Sequence, residues 1–232
     1  MQNTYSKDGL VLDISGQKLR ETGRDITRDK SRHMNHGMCM NGTDIIQTKE
    51  GTSALSFDGI DDYINCGNDT SLNPTEAITV ECWAKLDVAA AEESLYFPII
   101  YRNNTYLLRA EKGTSGVSFN FFIYDGTSWE PGAYSGHHFA FGVWYYIVGT
   151  YNCQHVKIYI NGKLKCSVAR TGVISINEQN TFIGYAMYEY FQGLIDEVRI
   201  YNRALSVEEV QGNMFISKRY RYMRGVQKCG VR

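Results

Sequence analysis

The sequence predicts an all-β protein, a sandwich of two antiparallel sheets with one short helix near the C-terminus. Many short apolar and aromatic stretches are separated by Gly, Asn and Asp turns, and little of the chain has helical periodicity. At 232 residues the chain is within the size range of one large all-β domain, and 43% of its residues are apolar. So many strands in one domain imply two sheets packed around a shared core.

The predicted strands are short, and turn residues separate them along most of the chain. The exception is the segment 16–51, which is long, polar and poor in strand formers, so we predict a partly irregular loop there. The predicted strands are Leu10–Ile14, Ala54–Phe57, Tyr63–Cys66, Ile78–Leu86, Pro98–Arg102, Tyr106–Ala110, Val117–Tyr124, Trp144–Tyr151, His155–Ile160, Leu164–Ala169, Thr181–Tyr185 and Leu194–Tyr201.

One hairpin is marked by Asn161-Gly162, a dipeptide that favours the backbone angles of a tight turn. A two-residue turn would place Ile158 opposite Lys165. A three-residue loop with a left-handed Gly162 places Ile158 opposite Leu164 instead, which keeps apolar side chains on one face, so we predict this second register.

The helix is predicted over Ser206–Phe215. Ser206 and Glu209 have the spacing of a capping box, in which each side chain bonds the backbone amide of the other residue.

Composition and charge argue against several classes of protein. The formal net charge of −1 gives no electrostatic reason to expect nucleic-acid or membrane binding, and no apolar run is long enough to span a bilayer. The first residues, MQNTYSKDGLVLD, lack a basic start followed by an apolar segment, so we expect no secretory signal. The six cysteines have no CxxC or Cys/His spacing, so we predict reduced thiols within the strands.

An acidic pair lies inside the last predicted strand, in the segment GLIDEVRIYNRAL from Gly193 to Leu205. A carboxylate at this place is a candidate metal ligand or catalytic group. Strand alternation puts Asp196 on the face of Val198 and puts Glu197 on the other face. Because two carboxylates that cleave a glycosidic bond must approach it together, this pair does not suit catalysis unless a bulge intervenes.

A candidate binding surface comes from the aromatic residues between positions 101 and 138, which are interleaved with amides and charges. Aromatic faces stack on sugar C–H groups while polar side chains bond the hydroxyls, so the mixture suits a glycan site. The same mixture suits a protein interface, and part of it suits ordinary strand packing. The predicted ligand-binding residues are Tyr101, Tyr106, Tyr124, Trp129, Tyr134, His137 and His138.

Several segments together resemble the laminin G-like jellyroll branch of the concanavalin A-like lectin/glucanase superfamily. The resemblance covers about residues 9–211, and the segment DKSRHMNHG, from Asp29 to Gly37, also resembles a DSSGNGNDG loop of that family. The segments, in family order, are ALSFDGIDDYINCG at 54–67, ITVECWAKL at 78–86, FGVWYYIVGTYN at 141–152, HVKIYINGKL at 155–164 and GLIDEVRIYNRALSVEEV at 193–210.

The resemblance implies a two-sheet concanavalin A-like jellyroll and a possible structural calcium ion. Asp196 occupies the position of the aspartate that the last long strand of related folds contributes to calcium, and Asp29 and Asp62 are further candidate ligands. The alternative is that Asp29 caps a turn and that Asp196 pairs with an arginine. Glucanases of this fold carry carboxylates at alternate strand positions, ExDxxE, and this sequence has no such motif, so we expect no enzyme activity.

The last residues are basic and aromatic, KRYRYMRGVQKCGVR from Lys218. We therefore divide the chain into a jellyroll domain over 1–215 and a C-terminal tail over 216–232 that docks on a protein partner. The expected function is a noncatalytic carbohydrate-binding or adhesion module on the surface of a larger assembly, such as a phage-like virion, with a glycan or cell-surface polysaccharide as ligand. The alternatives are a purely structural decoration subunit that binds no glycan and a glycoside hydrolase.

Overall fold

The computed structural model describes residues 7–21, 24–48, 52–88, 90 and 94–217, with side chains described outside 17–24. It confirms the all-β prediction, and the C-terminal segment 218–232 lies outside the described residues. The strands are β1 Leu10–Glu21, β2 Arg24–Asp29, β3 Gly37–Met40, β4 Asp44–Gln47, β5 Ser53–Asp58, β6 Tyr63–Asn65, β7 Ile78–Leu86, β8 Tyr96–Arg102, β9 Tyr106–Gly113, β10 Gly116–Ile123, β11 Ala133–Tyr134, β12 Tyr145–Tyr151, β13 His155–Ile160, β14 Lys163–Ala169, β15 Thr181–Ile183, β16 Tyr185–Ala186, β17 Glu189–Tyr190 and β18 Gln192–Tyr201.

The strands form two layers joined at one edge. The first layer has the order β11-β10-β9-β8-β15-β6-β3, and the second has the order β18-β7-β12-β13-β14, with β5 paired to β18 and β4 to β5. β1 pairs with β18 on one side and with β2 on the other, and β2 pairs with β3, so β1 and β2 carry the hydrogen bonding from one layer to the other. Every recorded strand pairing is antiparallel, as the sequence predicts.

The core lies between the layers and follows strand alternation. In β10, Phe119 and Phe121 point inward, and Phe121 meets β12 at Gly149, where a Cβ atom would lie 2.2 Å from the ring. A side chain at this position would therefore push the two sheets apart. Each buried ring of this kind stabilises the fold by about 1.5–3 kcal/mol relative to exposure.

A bulge in β18 changes the predicted alternation. Asp196 pairs with Trp83 of β7, the next pair on this side is Arg199 with Glu81, and Glu197 has a φ angle of 51°. The extra residue puts Ile195 in the core together with Val198, three positions later. The prediction that Asp196 shares a face with Val198 is therefore wrong.

The segment 16–51, predicted as an irregular loop, contains the second half of β1 and the whole of β2, β3 and β4. β1 continues to Glu21 and pairs with β2, and β3 and β4 follow within the same segment. The residues of these strands have weak strand propensity. They are strands because their backbones hydrogen-bond to neighbouring strands, and such pairing outweighs local propensity.

The hairpin between β13 and β14 has a two-residue turn, not the predicted three-residue loop. Asn161 and Gly162 have φ angles of 51° and 73°, and Ile160 pairs with Lys163. A bulge after Leu164 then places Ile158 opposite Cys166. The bulge shifts the register by one residue, in the direction opposite to the shift that the predicted three-residue loop would have given, because that loop would have placed Ile158 opposite Leu164.

The C-terminal helix α1 spans 207–217 and covers the outer face of the second layer. Its Val210 belongs to an apolar cluster with Trp83, Tyr146 and Tyr201. The predicted capping box is confirmed, because Ser206 Oγ accepts the Glu209 amide at 3.2 Å and Glu209 Oε2 accepts the Ser206 amide at 2.9 Å. No helix in the described part of the chain is long and apolar enough to cross a membrane.

We expect Ser206→Ala to lower the free energy of unfolding by about 1 kcal/mol, because the first turn of α1 then loses its side-chain cap. Urea unfolding followed by fluorescence measures the change. Ser206→Asp is the matched control, since a carboxylate also caps, and it should stay within about 0.5 kcal/mol of the unmodified chain. Equal losses for both variants would contradict the capping role.

Candidate functional site

The outer face of the first layer is rich in aromatic side chains. Tyr96 and Tyr101 of β8, Arg109 of β9 and Phe122 of β10 alternate with core residues and point away from the core. We call this surface the aromatic face; its side chains are Tyr63, Tyr96, Tyr101, Leu107, Arg109, Phe122, Tyr124, Trp129, Tyr134, Phe182, Tyr185 and Tyr190.

Trp129 lies at the centre of one part of this face. Its ring centroid is 5.2 Å from that of Tyr124 and 6.5 Å from that of Tyr101. Tyr101 is fixed in turn, because its hydroxyl donates to Asn103 Oδ1 at 2.7 Å. Trp129 and Tyr124 are half-buried, so each keeps part of its ring available to a ligand.

Arg170 anchors the loop that carries Trp129. Its side chain is 3% exposed, and its guanidinium donates to the carbonyls of Ser128 at 2.7 Å, Trp129 at 2.9 Å and Pro131 at 3.1 Å. It also pairs with Asp125 Oδ2 at 2.9 Å. One buried cation thus fixes the loop backbone through several charge-assisted hydrogen bonds.

Asp125 stays charged under ordinary conditions, which keeps its pairing with Arg170. The Thr127 hydroxyl and the backbone amides of Ser128 and Thr127 donate to its carboxylate, and together with the nearby Arg170 they hold its pKa well below the usual range. The ion pair between Asp125 and Arg170 is therefore kept at neutral pH.

A pocket of about 200 Å³ adjoins the Trp129 cluster on the same face. Tyr96, Leu107 and Arg109 line it, together with Met187 and Glu189 of the β16–β17 hairpin. The Arg109 guanidinium carbon lies 4.2 Å from the ring centroid of Tyr96, and its Nη2 is 3.2 Å from Glu111 Oε2. We call this the Arg109 pocket.

Beyond the pocket the face continues as a cluster of rings on β6, β15 and the β16–β17 hairpin. Tyr185 lies 5.5 Å from Tyr63, 5.4 Å from Phe182 and 5.1 Å from Tyr190, measured between ring centroids. The turn of the hairpin presents Tyr188, which is 89% exposed. The aromatic face therefore continues unbroken from the Trp129 loop to this hairpin.

The structure brings four of the predicted ligand-binding residues together. Tyr101, Tyr124 and Trp129 form the cluster described above, and Tyr134 of β11 stands edge-on to Phe122 with 5.4 Å between ring centroids. The Tyr134 hydroxyl donates to Glu130.

The other predicted ligand-binding residues lie elsewhere. Tyr106 is fully buried in the core because it alternates with Leu107 on β9; its hydroxyl donates to the Leu72 carbonyl at 3.1 Å, and burial raises its pKa to about 12. His137 packs on Gly113 at the end of β9, and His138 follows it, exposed. These three side chains are not part of the aromatic face.

Sequence reasoning did not identify Tyr96, Arg109, Glu189 or the rings of the β16–β17 hairpin. The missing step was to assign strand faces: on β9, Leu107, Arg109 and Glu111 alternate with the core residues Leu108 and Ala110. That pattern is visible in the sequence once the strand is placed.

The family model of the concanavalin A-like lectin/glucanases superfamily matches residues 58–211. The chain belongs to this superfamily. The resemblance seen in the sequence is thereby confirmed. Among curated proteins no sequence matches the chain.

Solved structures of this superfamily's fold match nearly the whole chain. Domain 4 of AbnA, a GH43 extracellular arabinanase from Geobacillus stearothermophilus, solved with arabinotriose, has a TM-score of 0.67 at 18% identity over 90% of this chain and 100% of that domain. The botulinum neurotoxin serotype D ligand-binding domain, in complex with N-acetylneuraminic acid, has a TM-score of 0.67 at 17% identity over 90% of this chain. The binding domain of Paraclostridial Mosquitocidal Protein 1 has a TM-score of 0.68 at 15% identity over 90% of this chain.

The chain spans about half the length of the two toxin domains, 51% and 52% of their chains, and the whole of the arabinanase domain. At these identities the likeness describes the fold, which agrees with the two-layer sandwich above.

Two of the predicted calcium ligands, Asp29 and Asp196, accept hydrogen bonds from backbone amides. Both oxygens of Asp29 accept hydrogen bonds, from the amides of Asp13, Ser31 and Asn35 at 2.8 Å and from the Ser31 hydroxyl at 2.6 Å. Asp196 Oδ1 accepts the amides of Gly16 at 3.1 Å and Glu197 at 2.8 Å. These contacts are those of backbone-capping carboxylates, which for Asp29 is the alternative stated above, and calcium binding by Asp29 and Asp196 stays a prediction.

Asp62, the third candidate metal ligand, lies in a different environment. It is buried in the turn between β5 and β6 next to Asp58 and Asp61. Burial and the two neighbouring carboxylates raise its pKa above the usual value, although the Asp58 and Gly42 amides oppose the shift.

The acidic pair of β18 contributes Glu197 to a buried ion network around Arg199. The Arg199 guanidinium lies 2.8 Å from Glu81, 2.9 Å from Glu197 and 3.5 Å from Asp13. Burial alone would lower the pKa of Arg199, but the carboxylates around it raise the pKa well above its usual value. This network lies on the outer face of the second layer, and Asn213 of α1 donates to Glu81 at 3.1 Å.

Proposed function

We propose that the chain is a noncatalytic carbohydrate-binding module and that it binds glycans on the aromatic face. The observation that carries the proposal is the Arg109 pocket beside the Trp129 cluster. The Tyr96 ring, the Arg109 guanidinium and the Glu189 carboxylate line the pocket, and the half-buried rings of Tyr124 and Trp129 lie on the same face. Rings stack on the C–H surfaces of sugars, and charged side chains bond the hydroxyls.

The frame of this site is rigid, as a binding site for small saccharides requires. Tyr96 and Arg109 lie on paired strands, and Arg170 fixes the Trp129 loop. A ligand that binds a preformed site loses less affinity to ordering the protein. The arabinanase domain solved with arabinotriose and the toxin domain solved with N-acetylneuraminic acid are similar folds with saccharide ligands, which supports the proposal.

The carboxylates near the pocket favour binding over bond cleavage. Glu111 accepts from Arg109 at 3.2 Å and from Asn120 at 2.9 Å, and Glu189 accepts from Ser94 at 2.8 Å. Each is oriented by a donor, as suits recognition of hydroxyl groups. A hydrolase would need one carboxyl group that is a proton donor and a second one placed across the scissile bond.

We expect Trp129→Ala and Tyr96→Ala each to weaken glycan binding at least about tenfold, because each removes a stacking ring worth on the order of 1.4 kcal/mol. A glycan array identifies the ligand, and calorimetry with that saccharide measures the affinity. Phe215→Ala is the matched control, since Phe215 is 57% exposed but lies on α1 against the opposite layer.

Unchanged affinity in both ring variants, or an equal loss in Phe215→Ala, would contradict binding at the aromatic face. A chain that binds no saccharide on the array would favour the alternative, a structural subunit without glycan binding. Release of sugar from a bound polysaccharide would contradict the noncatalytic assignment.

The assembly context of the module rests on sequence alone. The segment 218–232 is basic and aromatic, and we propose that it docks the module on a protein partner at the surface of a larger particle, such as a phage-like virion. Co-purification of the particle's other proteins with the full chain, but not with a chain ending at residue 217, tests this. Equal recovery with both chains would contradict it.

A further inference from the structure

The turn between β5 and β6 gathers three carboxylates that the proposed glycan site does not use. Asp58, Asp61 and Asp62 each offer one oxygen, and these oxygens lie within 4.8 Å of one another. Within the ranges that the structure describes, no arginine or lysine forms an ion pair with any of the three. The described part of the chain thus places three carboxyl groups close together without pairing them to a cation.

Asp62 is the residue of this cluster whose surroundings point to a bound cation. The residue is 4% exposed, and its Oδ1 has no hydrogen-bond partner among the residues that the structure describes, whereas Oδ2 accepts the Asp58 amide at 3.0 Å. The Gly42 amide donates to the Met40 carbonyl at 2.8 Å, and it also lies near the Asp62 carboxylate, whose pKa it lowers. A buried carboxylate oxygen without a donor is costly, and a bound cation removes that cost.

Gly42 packs directly against this oxygen. A Cβ atom on Gly42 would lie 2.9 Å from Asp62 Oδ1, so any larger residue at this position would press against the carboxylate. Gly42 belongs to the β3–β4 turn, and the neighbouring Asn41 ties that turn to the acidic one by donating to the Asp61 carbonyl at 2.7 Å. Two loops with backbone carbonyls therefore border the three carboxylates.

The remaining oxygens are compatible with an ion on the solvent side. Asp58 uses Oδ1 for the amides of Ile60 at 2.8 Å and Asp61 at 3.3 Å, which leaves Oδ2 for a ligand. Asp58 and Asp61 are exposed, so an ion can enter without opening the core. Hard oxygen donors in irregular loops suit calcium, which accepts six to eight oxygens at about 2.3–2.6 Å, better than magnesium, which demands a regular octahedron.

We propose that Asp58, Asp61 and Asp62 bind one calcium ion, with Asp62 Oδ1 as the buried ligand. The turn joins β5, which pairs with β18 of the second layer, to β6, which pairs with β15 of the first. An ion there stabilises the connection between the two layers. The site is separate from Asp29 and Asp196, and it does not depend on glycan binding.

Calcium titration of the full chain tests the proposal by calorimetry and by thermal unfolding with calcium chloride or with a chelator. We expect one ion per chain and a higher Tm with calcium. Asp61→Asn should weaken binding at least about tenfold, because it removes one ligand charge. Asp61 is exposed and its carboxylate supports no backbone contact in the turn, so this variant should fold.

Two further variants separate this site from other carboxylates. Glu178→Gln removes an exposed charge outside the turn, and Asp196→Asn keeps the acceptor oxygen that holds Gly16 while removing the charge. Both should bind calcium as the unmodified chain does. The proposal is overturned if calcium up to about 1 mM gives neither heat nor a Tm shift, if Asp61→Asn binds with unchanged affinity, or if Asp196→Asn alone loses binding.

Discussion

Arg199→Met should lower the free energy of unfolding by about 3–5 kcal/mol, a large part of the stability of a typical domain. The substitution leaves the carboxylates of Asp13, Glu81 and Glu197 buried, 2%, 0% and 7% exposed, without the cation that they surround. The Tyr146 hydroxyl still donates to Glu81 at 2.6 Å, but a neutral donor does not replace the charge.

Urea unfolding at neutral pH measures this loss. Arg109→Met is the matched control, because Arg109 pairs with Glu111 at 3.2 Å with both side chains about a quarter exposed, and it should cost less than about 1 kcal/mol. Similar losses for the two arginine variants would contradict a buried network that depends on Arg199.

The fold followed from local patterns that the structure preserves. Apolar alternation, turn residues and the capping box at Ser206 are each decided within a few residues, and the two-layer sandwich and α1 agree with them. The family segments added the order of the elements, and the match over residues 58–211 bears this out.

The two wrong predictions of strand register lie where a β-bulge adds one residue to a strand. The bulge at Glu197 moves Val198 to the core face and leaves Asp196 on the outer one, and the bulge after Leu164 resets the β13–β14 hairpin. Both depend on the partner strand, which a single sequence does not identify.

The sequence predicted the kinds of residue in the candidate site, but it did not predict which individual residues belong to it. Trp129 and Tyr124 do lie together, yet Tyr106 points into the core because of its position on β9. Arg109 and Tyr96 come together only through the pairing of β8 with β9, and Arg170 reaches the Trp129 loop from 41 positions away along the chain. These are long-range contacts that periodicity does not reveal.

Gly193→Ala is the second substitution with a large expected effect, a loss of about 3 kcal/mol or more. Gly193 has a φ angle of 138°, a conformation that an alanine resists, and its added Cβ would lie 2.2 Å from the Lys85 carbonyl oxygen and 3.0 Å from Leu86 Cα. Both neighbours are backbone atoms of β7, so no side-chain rotation relieves the contact. The strand itself would have to move, and with it the pairing of β18 with both β5 and β7.

Gly212→Ala makes the same chemical change where the opposite sign is expected. Gly212 lies in α1 with no atom within 4 Å of an added Cβ, so alanine gains helix propensity and should stabilise the protein by about 0.5–1 kcal/mol. Urea unfolding of both variants therefore distinguishes the loss caused by the backbone conformation and close packing at Gly193 from any general effect of an added methyl group on the free energy of unfolding. A loss below about 1 kcal/mol for Gly193→Ala would mean that β7 and β18 can separate without breaking the core, which the close packing of these central strands argues against.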